Sequence, residues 1–313
     1  MDRPVPPAAP AWLDELDAAP GPPFLAMGLR PLGRDPWPED PADPEGAATL
    51  AAKRAVLATH RDDVVAARPG TGPAVAELAA ALGAGAGPGD DDDPAGVLAR
   101  LAGAVVEDLC LLVRPPDGGP WVLGAGAVCF PSHWRLAGKL GRPVAAIHGP
   151  VPRYAPALAA RVDRFLDRLA PGRPVWRRNW LVHVDDRLYA PVPAPAPDPP
   201  VQAAEAGERL WLRSERQTLC RLPASGAVAF TIRTSQAPLG VVAHRPALRA
   251  RLAAAVASWP AELVAYRGGV AVVGPLLTWL AVPEGGGGRY PRDHAFRPGQ
   301  DADGGARRGA AGT

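Results

Sequence analysis

The stretch CFPSHWRLAGKLGRPVAAIHGPVPRY, residues 129–154, organises the rest of the chain, because elements can be assigned outward from it in both directions. It begins where an apolar strand ends. Residues 134–140 are predicted to form a short helix that carries Lys139 and stops at a glycine. The apolar residues 144–147 favour a buried strand. His148 follows this strand directly and precedes a turn rich in glycine and proline.

Two interpretations of His148 are open at this point. Gly149 allows a backbone or a planar ligand to approach closely, and the prolines at positions 150 and 152 stiffen the segment. A rigidly held histidine at the end of a strand suits a metal or haem ligand. The plain alternative is a histidine capped by a backbone carbonyl, since a lone histidine is a weak signal.

Motifs in this stretch and elsewhere resemble those of the haem-dependent oxidative N-demethylases, the dimethylamine-monooxygenase-like proteins. The matching segments are, in order, Met27-Gly28-Leu29, Trp37, Lys53, Phe130-Pro131-Ser132, Trp134, Lys139-Leu140-Gly141, Ile147-His148, Pro150-Val151-Pro152, Arg178-Asn179-Trp180, LRSERQTL at 212–219, Arg221-Leu222-Pro223, Phe230-Thr231-Ile232-Arg233-Thr234 and Tyr266-Arg267-Gly268. Several motifs in one order are more specific than any of them alone. The resemblance covers residues 24–282.

The resemblance implies both a fold and an activity. The fold would be a PAS-like sheet with added helices that holds haem b through a histidine. The activity would be a monooxygenase reaction, in which O₂ is used to hydroxylate an N-methyl group of a secondary amine. The resulting carbinolamine collapses to a shorter amine and formaldehyde.

The resemblance also implies roles for particular residues. His148 is the candidate axial ligand of the iron, and Glu215 is the candidate catalytic acid that pairs with a protonated amine. Arg213 and Lys139 are the further candidate catalytic residues. The remaining candidate haem contacts are Arg178 and Arg216 for the propionates, and Trp134 and Trp180 as the walls of the pocket.

Three points stay open in these assignments. Glu215 has the alternative role of a structural partner for Arg178 or Arg216. His183 is a second candidate for the iron ligand. Ser235 stands where the family commonly has a tyrosine, so the identity of the amine is in doubt if this position lines the pocket.

Composition limits the class of protein. The chain has 313 residues, 47% of them hydrophobic, which is enough for a sizeable core. A net charge of +2 argues against a dedicated nucleic-acid binder. The three scattered cysteines build no disulfide framework and no four-cysteine iron–sulfur site. Because no signal peptide and no membrane span are recognisable, we expect a cytoplasmic protein.

The order of the elements predicts an α+β fold: a mainly antiparallel, PAS-like sheet with added N- and C-terminal helices. We expect residues 1–23 to form a flexible arm and residues 283–313 a disordered tail. Residues 24–282 would form the haem-binding catalytic domain between them.

The chain has no motif for a nicotinamide or flavin cofactor, so an oxygenase would need electrons from a partner. The resemblance implies reductase subunits that carry FMN and a 2Fe–2S cluster, with a small amine and O₂ as substrates. The alternative class is a haem-binding PAS-like sensor or interaction module without turnover. Formaldehyde release together with a substrate-induced change in the haem spectrum would separate the two classes.

Overall fold

The computed structural model describes residues 10–17, 28–42, 44–83, 93–149 and 156–282. Within these residues the α-helices are α1 (Trp12–Asp17), α2 (Pro44–Val64), α3 (Gly72–Ala81), α4 (Pro94–Ala102), α5 (Val144–His148), α6 (Pro156–Arg168), α7 (Ala206–Arg209), α8 (Pro246–Ala257), α9 (Ala261–Tyr266) and α10 (Val270–Ala281). The strands are β1 (Arg30–Pro31), β2 (Val65–Ala67), β3 (Asp108–Val113), β4 (Val122–Ala127), β5 (Val175–His183), β6 (Trp211–Arg221) and β7 (Val228–Pro238).

The seven strands form one sheet in the order β1-β5-β6-β7-β3-β4-β2, and every neighbouring pair is antiparallel. The β3–β4 hairpin and the β5–β6–β7 meander meet where β7 pairs with β3. Successive antiparallel strands joined by short turns are the pattern that the sequence predicted. The α+β class with a mainly antiparallel sheet is therefore confirmed.

Alternation along β6 divides the sheet into two faces, because successive side chains of a strand point in opposite directions. We call the side that carries Arg213, Glu215 and Gln217 the front face, and the side that carries Ser214 and Arg216 the back face. The cross-strand register extends both faces. The front face adds Arg177, Asn179, Thr234 and Gln236, and the back face adds Arg178, Trp180, Arg233 and Ser235.

Helices cover both faces. On the front, Val144 of α5 and Leu166 of α6 share an apolar cluster with Cys110 and Leu112 of β3. On the back, α3 and α4 pack on the hairpin half of the sheet, where Leu111 of β3 lies. The helices α1, α8, α9 and α10 pack on the back of the meander half, around Leu212 of β6. No helix in the described ranges is long and apolar enough to cross a membrane.

Two local predictions in the central stretch are wrong. Residues 144–147 are not a strand but the start of α5, because Pro143 opens a helical turn and accepts a hydrogen bond from Ile147 N–H at 2.9 Å. A short apolar run does not distinguish a strand from a helix by its periodicity. Residues 134–140 form turns instead of the predicted helix. The hydrogen bonds there run from Gly138 N–H to Arg135 O and from the N–H groups of Lys139 and Leu140 to Leu136 O.

Part of the expected N-terminal arm is packed onto the body of the chain. Trp12, Leu13 and Leu16 of α1 are at most 6% exposed and belong to the apolar cluster on the back of the sheet. The rest of that arm, residues 1–9 and 18–23, lies outside the described residues, as do residues 24–27 and 150–155 and the expected tail 283–313.

Candidate functional site

His148 is the last residue of α5, and its imidazole is partly buried. Its Nδ1–H donates a hydrogen bond to the carbonyl oxygen of Val144, 2.8 Å away and one helical turn earlier. Burial lowers the pKa of His148; the bond to Val144 raises it, and the charges of Lys139 and Arg177 lower it again. The ring is therefore neutral at neutral pH, with its lone pair on Nε2, which is the form that coordinates a metal.

The contact between His148 and Val144 is the carbonyl cap of the plain interpretation. A metal-binding histidine usually makes the same kind of contact through its other ring nitrogen, because that bond fixes the tautomer and the ring orientation. The two interpretations of His148 therefore share one geometry. The surroundings of the ring distinguish them better than its hydrogen bond does.

Lys139 and Trp134 lie beside this histidine, in the turns between β4 and α5. The ammonium group of Lys139 is 3.9 Å from the centroid of the Trp134 ring, in cation–π contact. Burial lowers the pKa of Lys139 from 10.5 to about 8, against the opposing influence of Cys110 and Glu215. Its amine is thus poised to exchange a proton near neutral pH.

A row of polar side chains crosses the front face between β5 and β6. Arg177 Nε donates to Gln217 Oε1 at 2.8 Å, and Gln217 Nε2 donates to Glu215 Oε2 at 3.0 Å. The other carboxylate oxygen, Glu215 Oε1, is 3.6 Å from Arg213 Nε. We call these four residues the polar row. Glu215 is 9% exposed. Its carboxylate is therefore stabilised mainly by Gln217 and Arg213 and not by bulk water.

Arg213 also fixes the segment that leads from β4 towards α5. It is fully buried and donates through Nη2 to the carbonyl oxygen of Phe130. The carboxylate of Asp108 accepts from the backbone N–H groups of Cys129 and Phe130 at 2.9 and 2.8 Å. Lys53, itself fully buried, lies 3.7 Å from that carboxylate. These contacts make Arg213 a positioning residue as well as a neighbour of Glu215.

His183, the second candidate ligand, lies at the far end of β5 from Arg177. Its Nε2 shares a hydrogen bond of 3.0 Å with Ser132 Oγ, and its ring stacks on His133 with 4.8 Å between centroids. Burial lowers the pKa of His183 to about 3, and the charge of Arg213 adds to this effect. His183 is therefore a neutral imidazole engaged with Ser132.

Arg178 and Arg216 lie on the back face, away from His148. Arg178 Nη2 is 2.5 Å from Glu15 Oε2, and Arg216 Nη1 donates to Glu39 Oε1 at 3.0 Å. Both arginines are thus paired with carboxylates of the N-terminal segments. Of the other candidate residues only Trp180 shares this face, so the structure separates the two arginines from His148, Lys139 and Glu215, and their role as propionate ligands stays a prediction.

Trp180 and Ser235 share that back face. Trp180 stacks on Trp259 with 5.7 Å between ring centroids, next to the apolar cluster of α8 and α10. Ser235 Oγ donates to Glu45 Oε1 at 2.6 Å. Neither side chain lines the front face, so the exchange of tyrosine for Ser235 does not enlarge a pocket next to Glu215. Glu215 in turn pairs with Arg213 and Gln217, not with Arg178 or Arg216.

Sequence reasoning missed Arg177. Arg177 was passed over for its neighbour Arg178, although only one residue of each adjacent pair in a strand can share a face with Glu215. The same alternation along β6 separates Arg216 from Glu215 and was the available signal.

The residues present fit the haem that the resemblance implies. His148 is neutral and carries its proton on Nδ1, as does a histidine that binds iron through Nε2. Lys139 and Arg177 supply positive charge next to it, which suits haem propionates. Trp134 supplies an apolar wall that packs with the front cluster.

A comparison with protein families agrees with this geometry. The family model described as "Haem-dependent oxidative N-demethylase, alpha subunit-like" matches residues 85–277, which is more than half of the chain. The matched range contains β3 to β7, and with them His148, Lys139 and the whole polar row.

Proposed function

Because the chain belongs to the haem-dependent oxidative N-demethylase, alpha subunit-like family, we propose that it is a monooxygenase subunit that removes an N-methyl group from a small secondary amine. The proposed substrates are an amine, of which dimethylamine is the simplest, and O₂. The products are a shorter amine and formaldehyde. When bound, haem b would supply the iron at which O₂ is activated.

One observation carries the proposal. His148 combines an Nδ1–H bond to Val144, a pKa lowered by burial, and two nearby cations, Lys139 and Arg177. A partly buried neutral imidazole near positive groups is well suited to a bound iron macrocycle with anionic propionates.

Glu215 is the residue that we assign to the amine. A secondary amine is protonated at neutral pH, and the nearly buried carboxylate attracts it strongly. Gln217 and Arg213 hold the carboxylate from two sides, so it stays oriented when the substrate arrives. When the carbinolamine collapses, its hydroxyl group loses a proton, the C–N bond breaks with its electron pair moving to nitrogen, and the nitrogen takes up a proton, so formaldehyde and the shorter amine are released.

Lys139 is the residue that we assign to proton transfer. With a pKa of about 8 it donates and regains a proton without a large barrier near neutral pH. Its contact with the Trp134 ring fixes the amine on the front face. Trp134 also excludes water from the space between His148 and the sheet.

The proposal has a structural part and a cellular part. The five strands β3 to β7, with α5 and α6 between the hairpin and the meander, would correspond to the PAS-like haem-binding sheet of the family.

Electrons would come from reductase subunits that carry FMN and a 2Fe–2S cluster. The proposed location is the cytoplasm. The three scattered cysteines support it, because proteins of oxidising compartments are the ones that typically carry disulfide frameworks.

Formaldehyde release tests the proposed reaction. The haem-loaded chain is incubated with dimethylamine, O₂ and a chemical reductant, and formaldehyde and methylamine are measured in equal amounts. Glu215→Gln should lower turnover at least about a hundredfold because the amine loses its counter-charge, while haem stays bound. Asp117→Asn, on an exposed turn, is the matched control that should leave turnover unchanged. A haem-bound chain that releases no formaldehyde with any secondary amine would instead support the sensor class.

A further inference from the structure

Thr234 has a buried hydroxyl group that lacks a hydrogen-bond partner among the residues that the structure describes. The residue is 3% exposed and lies on the front face of β7. Most buried polar atoms in proteins are hydrogen-bonded, and an exception often marks a place that a ligand or an ordered water completes. The hydroxyl group of Thr231, on the back face of the same strand, is the ordinary case, since it accepts a bond from Trp37 Nε1 at 2.9 Å.

The strand register places Thr234 directly opposite Glu215. Asn179 of β5, Glu215 of β6 and Thr234 of β7 form one line across the three strands, with their side chains on the front face. Directly opposed residues of an antiparallel pair have Cβ atoms about 4.5–5.5 Å apart. The hydroxyl group of Thr234 is therefore a close neighbour of the carboxylate that we assign to the amine.

Burial along this line increases from β5 towards β7. Asn179 is partly exposed, Glu215 is 9% exposed and Thr234 is 3% exposed. Arg177 and Leu181, the neighbours of Asn179 on the front face of β5, are also partly exposed. A small molecule that enters past β5 therefore reaches Glu215 first, and Thr234 is the innermost polar residue of the line.

The carboxylate of Glu215 has capacity for a further donor. Its Oε1 lies 3.6 Å from Arg213 Nε, and its Oε2 accepts a bond from Gln217 Nε2 at 3.0 Å. Each carboxylate oxygen can accept two hydrogen bonds, so an N–H group of a ligand can join Gln217 at Oε2. The Nη atoms of Arg213 do not compete for this position, because they donate to the carbonyl oxygens of Leu188 and Phe130.

Two neighbouring acceptors match a ligand that donates two hydrogen bonds. A protonated secondary amine carries two N–H groups, a protonated tertiary amine carries one, and a quaternary ammonium ion carries none. We propose that Thr234 is a specificity-determining residue that selects secondary amines. Its hydroxyl oxygen accepts one N–H group of the ammonium ion whose other N–H group binds Glu215. Hydrogen bonds from a charged donor are strong, so a tertiary amine, which can make only one of the two, binds more weakly.

This inference rests on the proposed function and adds an orientation of its substrate. The four bonds of an ammonium nitrogen are tetrahedral. When both N–H groups are bound to side chains of β6 and β7, the two carbon substituents point away from these strands. In the dimethylammonium ion the N-methyl groups therefore point towards the side on which α5 packs, where His148 lies.

The test compares the dimethylammonium and trimethylammonium ions by calorimetric titration of the full haem-loaded chain at neutral pH. We expect the parent to prefer the dimethylammonium ion by at least about tenfold. Thr234→Val keeps nearly the same shape without the hydroxyl group, so it should reduce this preference about tenfold, whereas any steric exclusion of the third methyl group stays. Thr234→Ser keeps the hydroxyl group and should keep the preference. Thr231→Val, the same exchange on the back face, should also keep it.

Urea unfolding of the chain without amine supplies a second readout. Thr234→Val should not lower the urea midpoint, because its hydroxyl group has no bond to lose. Thr231→Val should lower the midpoint, because it removes the bond from Trp37. Equal decreases in the two variants would overturn the inference, since the hydroxyl group of Thr234 would then have a partner within the chain.

The remaining outcomes separate this inference from the proposed function. A preference that is unchanged in Thr234→Val would overturn the inference and identify an ordered water as the partner of the hydroxyl group. If the parent binds no haem, the same titrations are made on the haem-free chain. A preference there that depends on Thr234 would mean that the proposed function fails and the amine site stands.

Discussion

Arg177 and Arg178 are adjacent in sequence but bind on opposite faces of the sheet. Arg177 Nε donates to Gln217 Oε1 at 2.8 Å on the front, and Arg178 Nε donates to Glu15 Oε2 at 2.9 Å on the back. The front contact continues the polar row that ends at Arg213. The back contact fastens α1 to the meander half of the sheet.

Substitution of these two neighbours should therefore have different effects. Arg178→Met should lower the free energy of unfolding by about 2 kcal/mol, since it removes a charge-assisted bond from a guanidinium group that is 2% exposed. Haem affinity should not change. Arg177→Met should weaken haem binding about tenfold through loss of a propionate partner, with a smaller effect on stability. Urea unfolding and haem titration measure the two quantities. The reverse pattern would place the propionates on the back face.

The buried pair of Lys53 and Asp108 should contribute strongly to stability. Lys53→Met leaves the carboxylate of Asp108 without its buried counter-charge, so we expect the free energy of unfolding to fall by about 3–5 kcal/mol. Arg54→Met changes the next, exposed residue of the same helix and should have an effect below about 1 kcal/mol. Urea denaturation of both variants provides the measurement. Equal effects in the two would show that the Lys53–Asp108 pair is energetically neutral.

Lys139 should give the stability of the protein a characteristic pH dependence. Its pKa is about 8 in the folded chain and 10.5 in the unfolded one, so between these values the unfolded chain binds more protons. The free energy of unfolding then rises with pH, by at most about 1.4 kcal/mol per pH unit. Lys139→Met removes this contribution, so the parent should gain stability relative to the variant from pH 8 to pH 10.

The difference between the two proteins is the informative quantity in that experiment. Burial raises the pKa values of Cys110 and Cys129 to about 12, which makes both proteins less stable at high pH. The influence of Cys129 is common to the parent and to Lys139→Met, whereas the pKa of Cys110 rises further once the charge of Lys139 is removed, which adds to the loss of stability of the variant at high pH. Stability curves that stay parallel from pH 8 to pH 10 would mean that Lys139 titrates as an exposed lysine.

Much of the architecture could be predicted from the sequence because its signals are local. Leu109 to Val113 form a continuous apolar run that became β3, and the alternation after Leu210 became β6. The helix with apolar residues Val162 and Leu166 was also visible as a stripe with helical period. Residues 144–147 were misassigned because four apolar residues carry too little periodicity to distinguish a strand from a helix. The preceding Pro143 opens a helical turn and so favours the helix.

The site was only partly predictable because its members meet through strand register. His148, Lys139 and Glu215 could be named from motifs, but which of Arg177 and Arg178 joins them depends on which way β5 faces. Register and long-range packing are properties of the folded chain, so spacing in the sequence does not reveal them.

The visible absorption spectrum of the haem-loaded chain tests the central claim most directly, compared between the parent and His148→Ala. His60→Ala, a half-exposed histidine on α2, is the matched control, and His183→Ala tests the second candidate ligand. We predict a Soret band in the parent that is lost or shifted in His148→Ala and unchanged in the other two variants. A Soret band that survives in His148→Ala and changes in His183→Ala would contradict the account, and so would a parent chain that binds no haem.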